Sequence, residues 1–401
     1  MVTILQVVPR LDAGGSELAT VEIAQALVRA GATALVATEG GRMAPEIAAA
    51  GGEIVALPVA SKNPLTMLAN ARRLTRLIRE RGVDLVHARS RAPAWSALLA
   101  ARRTGRPFVT TYHGAYGDEG PLKAAYNGVM ARGDRVIANS RYTAQMIAER
   151  DAQARERIRI IYRGVDGQAF DPKALKPEAV ERLRSSWGVP PHTKIVLHAA
   201  RLTSLKGQRN LIAAAARLER EGALDGAVII FAGDAPGREA YRQELMGLIG
   251  SHGLGDRVRL VGHCGGMPAA FLAAHVAVTT STVPETFGRT SVEAQAMGCP
   301  VIVPDLGALP ETIVAAGQRR AGQSHAGFTG WLIPPRDVEA LADRIRQALE
   351  LKPSERAEIG ARARAHVAAS FTLKRMQEMT LAVYDELLGT DLAERFKRSL
   401  C

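Results

Sequence analysis

Short runs of β-branched and aliphatic residues alternate with Ala/Leu/Arg segments of helical period, and this rhythm occurs twice in the 401 residues. No other feature constrains the fold as much. The apolar runs fall near 2–8, 33–38, 53–57, 83–87, 107–111 and 134–138, then near 194–200, 227–232, 257–261, 276–280 and 300–304. Strands that alternate with helices read as βαβ units, so the expected class is α/β with two doubly wound, Rossmann-like domains built on parallel sheets. Between the two series, residues 164–177 gather Gly, Asp and Pro without a periodic pattern, which sets the expected domains at 1–168 and 169–374. At roughly 150 residues per domain, the length asks for two or three. In such sheets ligands sit beyond the carboxyl ends of the strands, so two domains facing each other would place a site in the cleft between them.

Composition narrows the class without choosing a function. With 47% hydrophobic and 23% charged residues the chain can bury a full core, which excludes disorder, a collagen-like fibre and a disulfide-stapled miniprotein. Cys264, Cys299 and Cys401 have neither zinc-ligand nor disulfide-framework spacing. Met1 to Pro9 lack a basic leader and a small-residue cleavage site, and no run approaches about 18 apolar residues, so a cytoplasmic protein with no spanning helix is expected.

The formal charge of +12 asks for an anionic partner, whether nucleic acid, membrane surface or phosphorylated substrate. Residues 1–170 carry about +8 of it, with 23 Lys plus Arg against 15 Asp plus Glu. Between Lys62 and Arg106, nine arginines (Arg72, Arg73, Arg76, Arg79, Arg81, Arg89, Arg91, Arg102 and Arg103) face only Glu80 and Asp84. Leu65, Leu68, Leu74, Leu77 and Ile78 recur there at helical spacing. Residues 65–81 therefore read as an amphipathic helix, which either covers the sheet with a solvated basic face or docks peripherally on the anionic inner face of the cytoplasmic membrane. Nucleic acid is not expected as a partner, because aromatics are only 4% and no recognition motif accompanies the charge.

Candidate chemistry collects at predicted strand ends. The first strand runs into Gly14-Gly15-Ser16, where paired glycines let the backbone approach a ligand and the next helix offers N–H groups to a phosphate. A tight turn capped by Ser16 would use the same residues. The fingerprint G-x-G-x-x-G is absent there, which argues against a dehydrogenase. Strand 194–200 ends in Arg201, followed five residues on by Lys206-Gly207. A guanidinium fork and a compact point charge suit a pyrophosphate; the alternative is a solvated basic turn. Gly233-Asp234-Ala235-Pro236 follows the next strand as a candidate backbone contact to phosphate or base. The densest pattern is Pro284 to Pro300, with Glu285 in a loop and Glu293 two turns into a helix. Two carboxylates facing one crevice accept hydrogen bonds from sugar hydroxyls; alternatively Glu285 caps the helix and Glu293 is a surface charge. His113, at a strand end, taken alone reads as a structural hydrogen-bonder.

In order and spacing these motifs resemble the retaining GT-B glycosyltransferases of family 4, the "group 1" transferases of bacterial cell-envelope and lipopolysaccharide assembly. The resemblance spans nearly the whole chain: Gly14-Gly15, Thr111-Tyr112-His113-Gly114, Ala138-Asn139-Ser140, Arg163-Gly164-Val165-Asp166, Arg201 with Lys206-Gly207, Gly233-Asp234, and the E-x7-E of Glu285 and Glu293. It implies that Arg201 and Lys206 hold the donor pyrophosphate, that Glu285 contacts the donor sugar's hydroxyls and that Glu293 contacts the ribose. By the same resemblance the Gly14-Gly15 backbone meets donor phosphate or sugar, and His113 lies beside the reacting carbon. Phe287, Gly288 and Arg289 join the donor-binding set, base recognition runs through backbone near Val261 and Gly262, and a tail of about 375–401 crosses back to the first domain. Two departures are visible: Arg163 stands where the family often has Asn, and Gly307-Ala308 replaces the usual Gly-Gly. Both are expected to lie outside the pyrophosphate clamp.

The implied reaction is retaining transfer of a hexose-type sugar from a UDP- or GDP-linked donor to a saccharide or glycolipid acceptor, with no cofactor and no metal. Charge building on the departing diphosphate would be neutralised by Arg201, Lys206 and backbone N–H groups, while closure would exclude water. A nucleotide-sugar 2-epimerase on a GT-B-like fold is the alternative enzyme, and an inactive nucleotide-sugar-binding scaffold is a third reading.

Overall fold

The computed structural model describes residues 1–12, 14–114, 120–235, 237–315 and 327–400. Pro236 and Cys401, named above, lie outside the described residues. The chain forms two compact units, Met1–Gly164 with Leu373–Cys401, and Val165–Thr372.

The first unit is built on β1 (Thr3–Val7), β2 (Thr33–Thr38), β3 (Glu53–Ala56), β4 (Leu85–Ala88), β5 (Phe108–Tyr112), β6 (Arg135–Ala138) and β7 (Ile158–Ile160). They form one sheet in the order β3-β2-β1-β4-β5-β6-β7, every neighbour parallel. β1, β4 and β5 are buried from end to end, because helices cover both faces of a parallel sheet. Alternate residues feed two cores. On one face Leu5, Val7, Val86 and Phe108 meet Leu74 and Leu98 from the helices Pro64–Glu80 and Arg91–Thr104. On the other, Ile4, Val36, Leu85 and Val109 meet Leu27, Leu381 and Phe396 from the helices Gly15–Arg29, Leu373–Leu388 and Leu392–Arg398. The carboxyl-terminal tail thus returns to the first unit. It is tied there by a buried hydrogen bond between Tyr384 Oη and His87 Nδ1 at 2.6 Å, and by Glu386, which pairs with Arg135 at 2.6 Å and Arg159 at 2.5 Å.

The second unit contains β8 (Lys194–Ala199), β9 (Ala227–Ala232), β10 (Val258–Gly262), β11 (Val276–Val278), β12 (Val301–Pro304) and β13 (Gly330–Ile333). Their order is β10-β9-β8-β11-β12-β13, again parallel throughout. The order reverses between β8 and β11, and at such a reversal the loops diverge and leave room for a ligand.

Two strands were not expected. β7 has Arg159 at its centre and lies at a sheet edge, and β13 holds only Gly330-Trp331-Leu332-Ile333; neither presents an apolar run long enough to read. The helix near 65–81 runs from Pro64 to Glu80, its first N–H groups capped by the Asn63 side chain. It buries Ala71, Leu74 and Ile78, but Leu65 and Leu68 are 77% and 47% exposed, which corrects the expected leucine stripe. Leu65 lies about two and a half turns from Leu74 and so faces the opposite way, together with Arg72, Arg76 and Arg79. The expected basic face narrows as well. Arg81 pairs with Glu53, Arg102 with Asp134 and Arg106 with Asp84, Arg91 donates to Asn127, and Arg89 is buried against Gln6. Arg72, Arg76, Arg79 and Arg103 instead line one surface hollow with Thr75 and Glu80. Among the described residues, no helix is long and apolar enough to cross a membrane.

Hydrogen bonds from Arg135 and Arg159 hold the Glu386 carboxyl at about 2, below its ordinary 4.5. A depressed carboxylate stabilises the fold above its unfolded pKa, and that contribution is lost as pH falls through the folded value. Glu386→Gln is therefore expected to cost about 1 kcal/mol at neutral pH, measured by urea unfolding. The difference from wild type should shrink steadily below pH 4.5; an undiminished difference at pH 3 contradicts the assignment.

Candidate active site

In the second unit, chemistry-bearing residues gather at the carboxyl edge of the sheet. After β8 the chain passes Arg201, makes a short helical turn over Ser204–Lys206 and enters the helix Gln208–Arg220 through Gly207. Gly207 has φ +70°, and a Cβ there would lie 1.8 Å from the Thr280 carbonyl oxygen. Only glycine lets the turn press so closely on the exit of β11. That approach brings Lys206 to Glu285, whose Oε1 accepts from Lys206 Nζ at 2.7 Å and from Ser281 Oγ. Both donors use Oε1, so Glu285 Oε2 has no protein partner among the described residues. A small hollow beside the pair is lined by His198, Ser281, Gly288 and Thr290.

Glu285 itself is fixed from behind. Its backbone bridges to Gly307, and Ala308 N–H donates to the Glu285 carbonyl at 2.8 Å. A Cβ on Gly307 would come within 2.5 Å of that carbonyl oxygen, so glycine at 307, with Ala308 beside it in place of a second glycine, holds the Glu285 backbone.

Other residues are placed as follows. Arg201 is exposed and pairs with no carboxylate among the described residues; its carbonyl accepts from Gln208 Nε2 at 3.0 Å. Gly233 N–H donates to the Gly262 carbonyl at 2.7 Å, and the Asp234 carbonyl accepts from Leu202 N–H at 2.9 Å, so the exits of β8, β9 and β10, with Val261, lie side by side. Gly288 heads the helix Arg289–Ala296, which puts Glu293 one turn inside it and not two. Glu293 is no surface charge: it is 8% exposed, accepts from Arg289 Nε at 2.5 Å, and burial raises its carboxyl pKa against the pull of that guanidinium. Phe287 packs edge-on against Phe371 and is buried. Its side chain belongs to the core, so any donor contact at Phe287 is through its backbone.

In the first unit, Gly14 precedes the helix starting at Gly15, and Ser16 makes no cap; its hydroxyl donates to Glu17 Oε2 at 2.7 Å. The Gly15 carbonyl accepts from Arg163 Nη2. His113 follows β5, and burial, then the charges of Arg163 and Arg89, then His87, hold its imidazole well below the usual histidine range. It is therefore neutral at physiological pH. Arg163, the other departure from the family pattern, donates to the Gly15 carbonyl, and its charge acts on His113. The spacing gave no signal for the contact of Ser281 with Glu285, which is local, or for those of Arg163 with Gly15 and Gly307 with Glu285, which join segments distant in sequence. Among the described residues no group of three or more His, Cys, Asp or Glu side chains is placed to hold a metal ion.

Two parallel doubly wound units, with paired cation and carboxylate at the sheet edge of the second, define the GT-B class of glycosyltransferase. The profile of Glycosyltransferase Family 4 matches residues 13–168, and that of Glycosyl transferases group 1 matches residues 179–366. The chain belongs to this family and is a glycosyltransferase. It is 30% identical to D-inositol 3-phosphate glycosyltransferase 1 of Catenulispora acidiphila over 319 residues, covering 75% of this chain and 72% of that protein. A glycosyltransferase of Rickettsia africae superposes with TM-score 0.86 at 32% identity, over 97% of this chain and 99% of that one. Anabaena Alr3699/HepE, solved with UDP and glucose, superposes with TM-score 0.81 at 25% identity, over 96% and 100%; it has also been solved with UDP-glucose.

Proposed function

We propose that the protein transfers a hexose from a nucleoside-diphosphate sugar, with UDP the favoured carrier, to a saccharide or lipid-linked acceptor of the cell envelope, with retention and without a metal ion. The observation that carries this reading is the Lys206–Glu285 pair, which leaves one carboxylate oxygen open at a hollow lined by Gly288 and Thr290 at the amino end of the helix Arg289–Ala296. UDP and glucose on the Anabaena neighbour support the donor class.

In this reading Lys206 and Arg201 neutralise charge as it builds on the departing diphosphate, supplying what a divalent cation supplies in other transferases. N–H groups at Gly288 and Arg289 add the positive end of a helix dipole. Glu285 is oriented by Lys206 and Ser281, so its open Oε2 accepts from hydroxyls of the donor sugar. Glu293, desolvated and tied to Arg289, accepts from the ribose. Neutral His113 contributes a hydrogen bond beside the reacting carbon without adding charge to it. No carboxylate is assigned as a covalent nucleophile, so the acceptor hydroxyl attacks from the face the diphosphate leaves, and a phosphate oxygen takes its proton.

Incubation with UDP-glucose and other nucleotide sugars tests this. Free nucleoside diphosphate should appear slowly alone and faster with an acceptor panel that includes glycolipids and, given the name of the Catenulispora relative, inositol phosphate. Lys206→Ala and Glu285→Ala should each lower turnover by about 100-fold or more, with circular dichroism unchanged. Near-normal turnover refutes the roles, and an epimer without free diphosphate points to the 2-epimerase reading.

The first unit is assigned a second partner, an anionic membrane surface. Arg72, Arg76, Arg79 and Arg103 converge on one hollow, and the exposed Leu65 and Leu68 lie on the same helix, an arrangement that suits phospholipid headgroups with shallow apolar insertion. Replacing Arg72, Arg76 and Arg79 by alanine should weaken sedimentation with phosphatidylglycerol vesicles by more than about tenfold. Equal binding, or equal binding to neutral phosphatidylcholine vesicles, contradicts it.

A further inference from the structure

The Lys206–Gly207 turn rests on a buried side-chain network, His198 and Thr280, outside the motifs named above. His198, in β8, is 1% exposed, and its Nε2 lies 3.1 Å from the Lys206 carbonyl oxygen and 3.1 Å from Thr280 Oγ1. The Thr280 hydroxyl is within 2.8 Å of the Lys206 carbonyl and 3.0 Å of the Gly207 carbonyl. One hydroxyl proton cannot serve two carbonyls and the imidazole together. Carbonyl oxygens only accept, so Nε2 carries the ring's hydrogen and donates. Burial lowers the His198 pKa to about 4, which keeps the ring a neutral donor at physiological pH. Its Nδ1 is buried with no hydrogen-bond partner, and the ring meets Phe231 edge-on with centroids 5.4 Å apart. The imidazole is thus fixed by packing on one side and by the Lys206 carbonyl on the other. A parallel anchor holds Arg201, whose carbonyl receives Gln208 Nε2 while Tyr241 Oη donates to Gln208 Oε1 at 3.1 Å.

We propose that His198, acting with Thr280, is a positioning residue for the donor: by holding the Lys206 carbonyl it fixes the turn from which the Lys206 ammonium reaches a nucleoside diphosphate. This rests on the reading that Arg201 and Lys206 bind that diphosphate. A side chain that only filled the core would be replaceable by any ring of similar size. A positioning donor is replaceable only by another donor at the same place, and the glutamine amide nitrogen can stand in for imidazole Nε2.

UDP binding by calorimetry, and steady-state kinetics with UDP-glucose, are measured on the full chain for wild type, Lys206→Ala, His198→Phe and His198→Gln. His198→Phe is expected to weaken UDP binding and raise the donor KM by about five- to tenfold, with a smaller change in kcat and an unfolding midpoint close to wild type. His198→Gln should recover most of the loss. Weak UDP binding in Lys206→Ala with wild-type binding in His198→Phe overturns this inference and leaves the donor-site reading standing. Equal losses in His198→Phe and His198→Gln, each with a lowered midpoint, reduce His198 to packing and also overturn it. Wild-type UDP binding in Lys206→Ala overturns the donor-site reading and this inference with it.

Discussion

The second unit depends on one close approach, the Gly207 backbone against the Thr280 carbonyl. It joins the exits of β8 and β11, the two strands on either side of the sheet's reversal, with no side chain between them. The placement of Lys206 and Glu285 follows from that contact. It sets Lys206 within 2.7 Å of Glu285 and lets Thr280 reach two carbonyls of the turn. The ion pair is an orienting device more than a stabilising one, since both side chains keep some exposure, 28% and 20%, and partly solvated pairs contribute little to stability. Its use is geometric: it aims one carboxylate oxygen outward and holds an ammonium beside it.

Buried imidazoles recur as neutral connectors. His87 joins Tyr384 Oη and Thr111 Oγ1 at 2.6 and 2.7 Å, and burial holds it well below the usual histidine range. His198 plays the corresponding part under the Lys206 turn. In each case a charged ring would be costly to bury, whereas a neutral one offers a donor and an acceptor and ties strand ends to distant segments. In the first unit that connection fastens the returning tail to β4.

Much of the fold was legible because parallel strands buried on both faces leave continuous apolar runs, as in Val228-Ile229-Ile230-Phe231 of β9. β7 and β13 were not, since short strands at or near a sheet edge need no such run. Helical period revealed the helix Pro64–Glu80 but not which leucines it buries, because Leu65 and Leu68 satisfy the spacing while lying on the arginine side. The cations and glutamates of the site were visible as motifs at strand ends. Their contacts were not: Arg163 meets Gly15, Gly307 meets Glu285 and His198 meets Thr280 across separate segments, while Ser281 reaches Glu285 only through the local fold of their loop. At Phe287 the motif was legible but the burial of the side chain against Phe371 was not. The formal +12 also resolved into unlike parts, with Arg81, Arg89, Arg91, Arg102 and Arg106 taken up by internal partners and a smaller group left at one hollow.

The central claim is that the Lys206–Glu285 pair and Arg201 form a diphosphate and sugar site. The most direct measurement is a crystal structure of this chain with UDP. The account predicts phosphate oxygens within about 3 Å of Lys206 Nζ and the Arg201 guanidinium, with Glu285 clear of the phosphates and directed to where the sugar would sit. A diphosphate bound away from both cations, with Lys206 still held by Glu285 alone, would contradict it.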